Sequence, residues 1–239
     1  MRVQEKNIKG FSILELLVVL SIVAIISAVS YPSFSSWNKE RETRSSAERI
    51  KALYKNINSQ VQRGMYAYVQ VLVEEELVES EDKQLLMITS KGMKMNTLMS
   101  KVNDGEDAWN KTVSTRCNIT DADYWDESGN TTSRPEVSFL KFENITVNFN
   151  NNVGAVCFST DGTWYSGAGQ FSSESGGETS VDSVFFICSR SSDVSVCEVS
   201  ETDGKPSKDH DILFAISWAR FGNITLEKWS KSKDDWILQ

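Results

Sequence analysis

The hydrophobic positions divide the chain into three parts: a continuous apolar run, a helical stripe and a series of short apolar segments. Residues 11–31 contain a single charged side chain, that of Glu15. From Ser33 to about Leu77, apolar residues recur every three or four positions, which indicates an amphipathic helix. From Thr112 onward, short runs such as "ITVNFN", "VFFIC" and "ILFAISW" favour strands. The pattern predicts an α+β fold, with a long N-terminal helix against a mostly antiparallel β-sheet or sandwich.

The first helix is predicted to cover residues 11–77 without a break. Gly64 is only a mild interruption of its apolar stripe. Residues 11–31 alone would form a helix about 31 Å long, which is enough to cross the apolar core of a bilayer. We expect this part to lie in a membrane or in the core of a fibre, and the rest of the helix to pack on a sheet.

Two further regions follow the long helix. Residues 78–110 are predicted to be an irregular connecting segment, with a short helix broken at Gly92 as the alternative. Methionines concentrate there and indicate an adaptable packing surface, at Met87, Met93, Met95 and Met99. Residues 111–239 are predicted to form a β-domain of about six to eight strands.

The four cysteines predict disulfides rather than free thiols. Their number is even, and all follow an export-like apolar segment, at Cys117, Cys157, Cys188 and Cys197. Three pairings are possible, and the short separation of Cys188 from Cys197 favours a bridge between them, which leaves Cys117 for Cys157. No two cysteines form a Cys-x-x-Cys pair and the chain has one histidine, so we expect neither a metal nor a cofactor.

The sequence contains no convincing arrangement of catalytic residues. His210 lies in the polar stretch "SKDHDIL", where an exposed loop histidine is the preferred interpretation. The acidic stretch "DADYWDE" has enough oxygen ligands for Ca²⁺, but a solvated loop is the preferred reading of Asp121, Asp123, Asp126 and Glu127. The chain is therefore not expected to be an enzyme.

Net charge also limits the choice of partner. The chain has 25 Lys and Arg against 33 Asp and Glu, a formal charge of −8. An acidic balance of this size argues against broad binding to nucleic acids or anionic membranes.

Glu15 decides between the readings of the apolar run. A cleaved secretory signal would need a cleavage site of small residues, which Ser27, Ala28 and Ser30 could supply. A plain signal anchor explains the run but not the carboxylate, which costs roughly 2.5–3.5 kcal/mol inside a bilayer. A charged residue retained at such a position indicates that its carboxylate pairs with another group.

The stretch "KGFSILELLVVLSIVAIISAVSYPSF" resembles the N-terminus of type IV prepilins and type II secretion pseudopilins. The matching features are Gly10 before the aromatic Phe11, Glu15 as the fifth residue from that junction, an unbroken apolar run, and Pro32 after it. The resemblance implies that prepilin peptidase removes residues 1–10 as a leader peptide on the cytoplasmic face and methylates the new amine of Phe11.

The resemblance also implies roles in assembly for three residues. The Phe11 amine of one subunit would pair with the Glu15 carboxylate of its neighbour, because a paired charge is far less unfavourable than a lone one in an apolar environment. Pro32 would bend the helix, or begin a second one. Other pilin or pseudopilin subunits and the inner membrane are the implied partners. The subunit would be single-pass with its bulk outside the cytoplasm, then part of an extracellular pilus or a periplasmic pseudopilus.

The strand region carries a narrower resemblance. "AVCFSTDGTWYSG" and "ILFAISWARFGNITLEKW" are similar to the C-terminal half of GspH/FimT-type minor pilins and pseudopilins, with Asp161-Gly162 and Gly222 at the turns. The leading hypothesis is a minor, low-abundance type IV pilus subunit at or near the filament tip. A type II secretion pseudopilin is the alternative.

A tip-displayed protein that binds DNA or a surface is a further alternative. DNA binding is disfavoured because Arg220 is the only arginine beside Gly222, and because Asp234 and Asp235 follow the basic run of Lys228, Lys231 and Lys233. Trp229 and Trp236 are candidates for a binding surface, although core or edge packing is the preferred reading.

Overall fold

The structure is a computed structural model, and it describes residues 12–78, 83–108, 110–117, 119, 122–125, 137–147, 153–160, 162, 164–166, 184–190, 197–200, 204–206, 212–219 and 223–239. The chain divides into two compact units, Met1–Arg41 and Glu42–Gln239. The first element, α1, contributes residues to both units.

The elements alternate little between helix and strand, as expected for an α+β protein. The helices are α1 (Ile13–Gln62), α2 (Met95–Asn103), α3 (Val113–Cys117) and α4 (Ala122–Trp125). The strands are β1 (Tyr68–Val78), β2 (Lys83–Met93), β3 (Val137–Phe142), β4 (Ile145–Val147), β5 (Val153–Ser159), β6 (Trp164–Ser166), β7 (Val184–Ser189), β8 (Leu213–Trp218), β9 (Ile224–Ser230) and β10 (Asp235–Leu238).

Two antiparallel sheets make up the strand part of the second unit. The first has the order β3-β2-β1-β5-β6 and the second the order β10-β9-β8-β7-β4, with five strands each among the described residues. The predicted α+β class with antiparallel sheets is therefore confirmed. The described strands exceed the predicted number because β1 and β2 come from regions that were assigned to helix and to irregular structure.

The core of the second unit joins the last turns of α1 to both sheets. One continuous apolar cluster contains Ile50 and Val61 of α1, Val71 of β1 and Phe214 of β8. Tyr54 connects these layers, because its ring lies 5.8 Å from that of Phe158 in β5 and 5.5 Å from that of Trp218 in β8.

The prediction of a helix to residue 77 is wrong, since α1 ends at Gln62. Gly64 has a φ of +72°, a conformation that glycine adopts readily and that ends many helices. The amide of Gly64 donates to the carbonyl of Val61 at 2.9 Å and completes the turn. β1 follows as a strand buried on both faces, so its sequence lacks the polar alternation that would have marked it.

The prediction of an irregular segment at 78–110 is also wrong. Residues Lys83–Met93 pair with β1 along their whole length, and Met95–Asn103 form α2. Gly92, predicted to break a helix, lies instead in β2, where it pairs with Val69. The ring of Tyr66 occupies the space that a side chain at this position would need. A Cβ at position 92 would be 2.6 Å from that ring. Met93 is buried, whereas Met95 is 56% exposed.

The first unit is described mainly by the start of α1. The backbone is helical on both sides of Pro32, so this residue does not begin a second helix, and the predicted bend stays a prediction. Within the described residues, no helix combines the length and the apolar content needed to cross a membrane.

Candidate assembly site

Ser12 fixes the start of α1. Its carbonyl accepts a hydrogen bond from the amide of Leu16 at 3.1 Å, and its hydroxyl accepts one from the amide of Leu14 at 3.3 Å. A serine that accepts from free amides in this way acts as an N-cap. Glu15 then lies in the first turn, where the partial positive charge of a helix N-terminus favours a carboxylate.

The first turns of α1 are apolar on every side and exposed on every side. Each large apolar residue from Ile13 to Ile26 is at least 50% exposed, and Ile13 reaches 81%. A helix that is hydrophobic all round is stable when other helices or lipid cover it. The geometry therefore provides an insertion surface rather than a groove for a small ligand.

Glu15 is the only charged side chain between Ser12 and Asn38. The described part of the chain gives it no ion-pair or hydrogen-bond partner. The predicted processing residues, Gly10 and Phe11, lie outside the described residues, and nothing is described of the Pro32 side chain. The pairing of the Phe11 amine with Glu15 stays a prediction.

Two exposed aromatic residues follow the apolar run on one face of α1. Phe34 and Trp37 are 59% and 54% exposed, with ring centroids 5.8 Å apart. The guanidinium carbon of Arg41 lies 5.7 Å from the centroid of the Trp37 ring. The three residues are three and four positions apart, so they are neighbours on the helix surface. Their spacing is visible in the sequence, but neither Phe34 nor Trp37 was predicted to be a functional residue.

The four cysteines form two disulfides, Cys117–Cys157 and Cys188–Cys197. This is the pairing that the sequence favoured. The first bridge attaches α3 to β5, and the second attaches Cys197 to β7. All four cysteines are buried.

An ion-pair cluster centred on Asp107 holds the α2–α4 region together. The Asp107 carboxylate accepts from Arg116 Nε at 2.8 Å, from Tyr124 Oη at 2.9 Å and from the amide of Ala108 at 2.8 Å. Lys111 Nζ lies 3.1 Å from Oδ1 of Asp107, the oxygen that also accepts from Ala108. The Asp107 side chain is fully buried, so these partners satisfy a carboxylate that water does not reach.

The cluster shifts the pKa of Asp107 and of two tyrosines. Burial opposes the charged form of Asp107, but hydrogen bonds from Arg116, Lys111 and Tyr124 outweigh it and lower the pKa to about 2. Burial, and the hydrogen bond to Asp107, raise the pKa of Tyr124 to about 12. Burial also raises the pKa of Tyr68, whose hydroxyl lies 2.9 Å from that of Tyr124. Because Tyr124 donates to the carboxylate, Tyr68 must donate to Tyr124.

The same region covers the outer face of the first sheet. Tyr68 of β1 contacts the ring of Trp125 at a centroid distance of 5.5 Å. Gln70 Nε2 donates to the carbonyls of Cys117 at 2.8 Å and Ile119 at 2.9 Å. The contacts connect residues far apart in sequence, and no local signal predicted them. They give this region a structural role.

A second polar group, which is partly buried, connects the two sheets. Glu75 of β1 accepts from Thr146 Oγ1 of β4 at 2.7 Å and from Arg190 Nη2, just after β7, at 2.9 Å. Arg190 also donates to the carbonyl of Gln84 in β2. These residues are also far apart in the sequence, so no local signal predicted this group.

The remaining candidates do not form a site. Trp229 and Trp236 pack against each other with centroids 5.3 Å apart, and Trp236 also contacts Phe186, so the packing interpretation is confirmed. Asp234 forms an ion pair with Lys205 at 2.7 Å. Outside the described residues lie Asp121, Asp126, Glu127, Asp161, His210, Arg220 and Gly222, and nothing is described of the Asp123 side chain. The part of the chain that is described contains no group of side chains able to hold a metal ion.

Comparison with known proteins gives one match. Residues 6–31 match the family described as the prokaryotic N-terminal methylation motif. The matched range contains Gly10, Phe11 and Glu15, and ends just before Pro32. No curated protein and no solved structure matches the chain.

Proposed function

Since this chain carries the N-terminal methylation motif of type IV pilins and pseudopilins, we propose that it is a minor, low-abundance subunit of a type IV pilus, assembled in the filament or at its tip through α1. The motif indicates a structural subunit rather than an enzyme, and processing by prepilin peptidase followed by assembly with other pilin subunits. The observation that carries the proposal is the placement of Glu15 in the exposed, apolar start of α1, inside the matched range.

Processing is the first step of the proposed function. Cleavage between Gly10 and Phe11 would leave a methylated cationic amine four residues before Glu15. In a filament, the amine of one subunit and the carboxylate of the next would neutralise each other in an apolar environment, and subunits placed out of register would leave both charges unpaired. The pair thereby selects the axial position of the subunit.

The same helix serves the subunit before assembly. We propose that its apolar surface holds the subunit in the inner membrane, with Glu42–Gln239 outside the cytoplasm. The two disulfides agree with this placement, because disulfides persist in oxidising compartments. After assembly, the subunit would be part of an extracellular pilus.

We also propose that this subunit is of the GspH/FimT type. The support for this assignment is the pair of hairpins that the similar stretches form. β5 and β6 pair through Phe158 and Trp164 around Gly162, whose φ is +78°. β8 and β9 pair through Trp218 and Ile224.

Mass spectrometry of filaments sheared from the native host tests the proposal, with a mutant that lacks this protein as the control. Peptides that begin at methylated Phe11, in trace amounts beside a dominant pilin, are expected. Unprocessed peptides that retain residues 1–10 in the filaments would contradict it. Peptides confined to the cell envelope, with normal pili but failed protein export in the mutant, would instead identify a type II secretion pseudopilin.

A further inference from the structure

We propose that Phe34, Trp37 and Arg41 form an interfacial anchor that sets the depth of α1 in the lipid bilayer before the subunit enters a filament. The inference rests on the membrane insertion contained in the proposed function, and it identifies the side chains that fix the position of the helix.

The proposed anchor rests first on the order of side chains along α1. From Ile13 to Ile26 the exposed residues are apolar apart from Glu15 and the small residues. The exposed aromatic pair follows at Phe34 and Trp37. Charged residues then begin at Lys39 and continue with alternating sign. This order of apolar, aromatic and charged side chains matches the order of hydrocarbon, interface and water that a helix meets on leaving a bilayer.

The length of the helix agrees with this order. At a rise of ~1.5 Å per residue, the distance along α1 from Ile13 to Phe34 corresponds to about 32 Å. The hydrocarbon core of a bilayer is about 30 Å thick. With Ile13 at one boundary, Phe34 lies at the other, and Trp37 lies roughly 4.5 Å further out, at the level of the headgroups.

The chemistry of the three side chains suits that level. An indole ring has an apolar body and a polar N–H, and tryptophan is enriched where a membrane meets water. Both rings are more than half exposed, so their surface is available to lipid. Arg41 covers the Trp37 ring from the side of the charged residues, where its guanidinium can bind lipid phosphate while its aliphatic part lies over apolar surface.

Depth-dependent quenching of Trp37 fluorescence tests the anchor. The full chain would be inserted in vesicles of phosphatidylethanolamine and phosphatidylglycerol that contain lipids brominated either near the headgroup or near the chain ends. Since the chain has other tryptophans, the emission of Trp37 is the difference between the wild type and Trp37→Phe. Flotation of the same vesicles measures insertion independently.

We expect bromines near the headgroup to quench Trp37 more strongly than bromines near the chain ends. A protein that floats with the vesicles, but whose Trp37 is unquenched or is quenched mainly by the deep bromines, would overturn the anchor and leave membrane insertion intact. A protein that does not float would overturn the proposed insertion and the anchor together.

Two arginine variants distinguish the contribution of Arg41 to the anchor from the general effect of removing one positive charge. Arg41→Gln removes the cation over the indole, and we expect the ratio of shallow to deep quenching to fall. Arg44→Gln removes an exposed cation that pairs with Glu48 at 3.0 Å, and we expect no change in the ratio. Equal ratios in wild type and Arg41→Gln, or equal falls in both variants, would contradict a role for Arg41.

Discussion

The two compact units of the chain place their apolar side chains in opposite environments. In the unit Met1–Arg41, every large apolar residue from Ile13 to Ile26 is at least half exposed. In the unit Glu42–Gln239, Ile50 and Tyr54 of the same helix are fully buried. The second unit therefore covers its own apolar residues, whereas those described in the first stay exposed, and the proposed function has lipid or other subunits cover them. Changes to the second unit should alter stability, and changes to the first should alter assembly.

The largest expected effect comes from removing the disulfide of the second unit that closes the longer loop. Changing Cys117 and Cys157 together to Ser should lower the free energy of unfolding by about 4 kcal/mol, against about 2.5 kcal/mol for Cys188 and Cys197, because the bridges span 40 and 9 residues. Urea unfolding of the full chain in detergent measures both. Equal losses would contradict the dependence on loop length.

The next largest effect is expected from a change in the first unit, and it should leave the free energy of unfolding unchanged. Glu15→Gln removes the partner of the Phe11 amine, and an unpaired buried charge costs roughly 3 kcal/mol, so incorporation into filaments should fall about a hundredfold. Quantitative immunoblots of sheared filaments measure it. Glu42→Gln, further along α1, is the matched control, and its carbonyl oxygen can still accept from Asn144. Wild-type incorporation of Glu15→Gln would contradict the assembly role.

Acid should weaken the second unit through Asp107. Its pKa is 3.8 ordinarily and about 2 in the fold, so the folded state favours the ionised form. The resulting stability, about 2 kcal/mol, is fully present above pH ~4 and is lost as the pH falls through ~2. Urea midpoints compared between these two pH values measure the loss. Asp107→Asn should lack this component, and an equal loss in that variant would assign it to other carboxylates.

The smallest effect distinguishes the hydroxyl groups of two tyrosines, Tyr54 and Tyr124. The Tyr54 hydroxyl is buried without a hydrogen-bond partner in the described part of the chain, and burial raises its pKa. Tyr54→Phe should therefore stabilise the second unit, by up to about 1 kcal/mol. Tyr124→Phe should destabilise it by about 1 kcal/mol, since its hydroxyl bonds to both Asp107 and Tyr68. Thermal unfolding of the two variants checks the signs, and equal signs would contradict the comparison.

Local patterns predicted the elements whose apolar residues repeat with a clear period or lie between turn residues. The buried positions Ile50, Tyr54 and Ile57 of α1 repeat with helical spacing, and β7 and β8 stand out as short apolar runs between turn residues. The favoured disulfide pairing followed from separation along the chain.

The missed elements carried no such local signal. β1 is covered on both faces and ends in the helix-favouring run from Glu74, so its sequence continued the apparent helical stripe. The Asp107 cluster and the Glu75–Arg190 pair depend on residues brought together by folding, across as many as 115 positions. Such contacts leave no periodic signal.

The close approach of Gly92 and Tyr66 has a consequence for the evolution of this protein. Since a Cβ at position 92 would be 2.6 Å from the Tyr66 ring, position 92 cannot gain a side chain while that ring stays in place. Among homologous sequences, a larger residue at position 92 should occur together with a smaller one at position 66, and a lineage that exchanged both would have to pass through Gly92 with a small residue opposite.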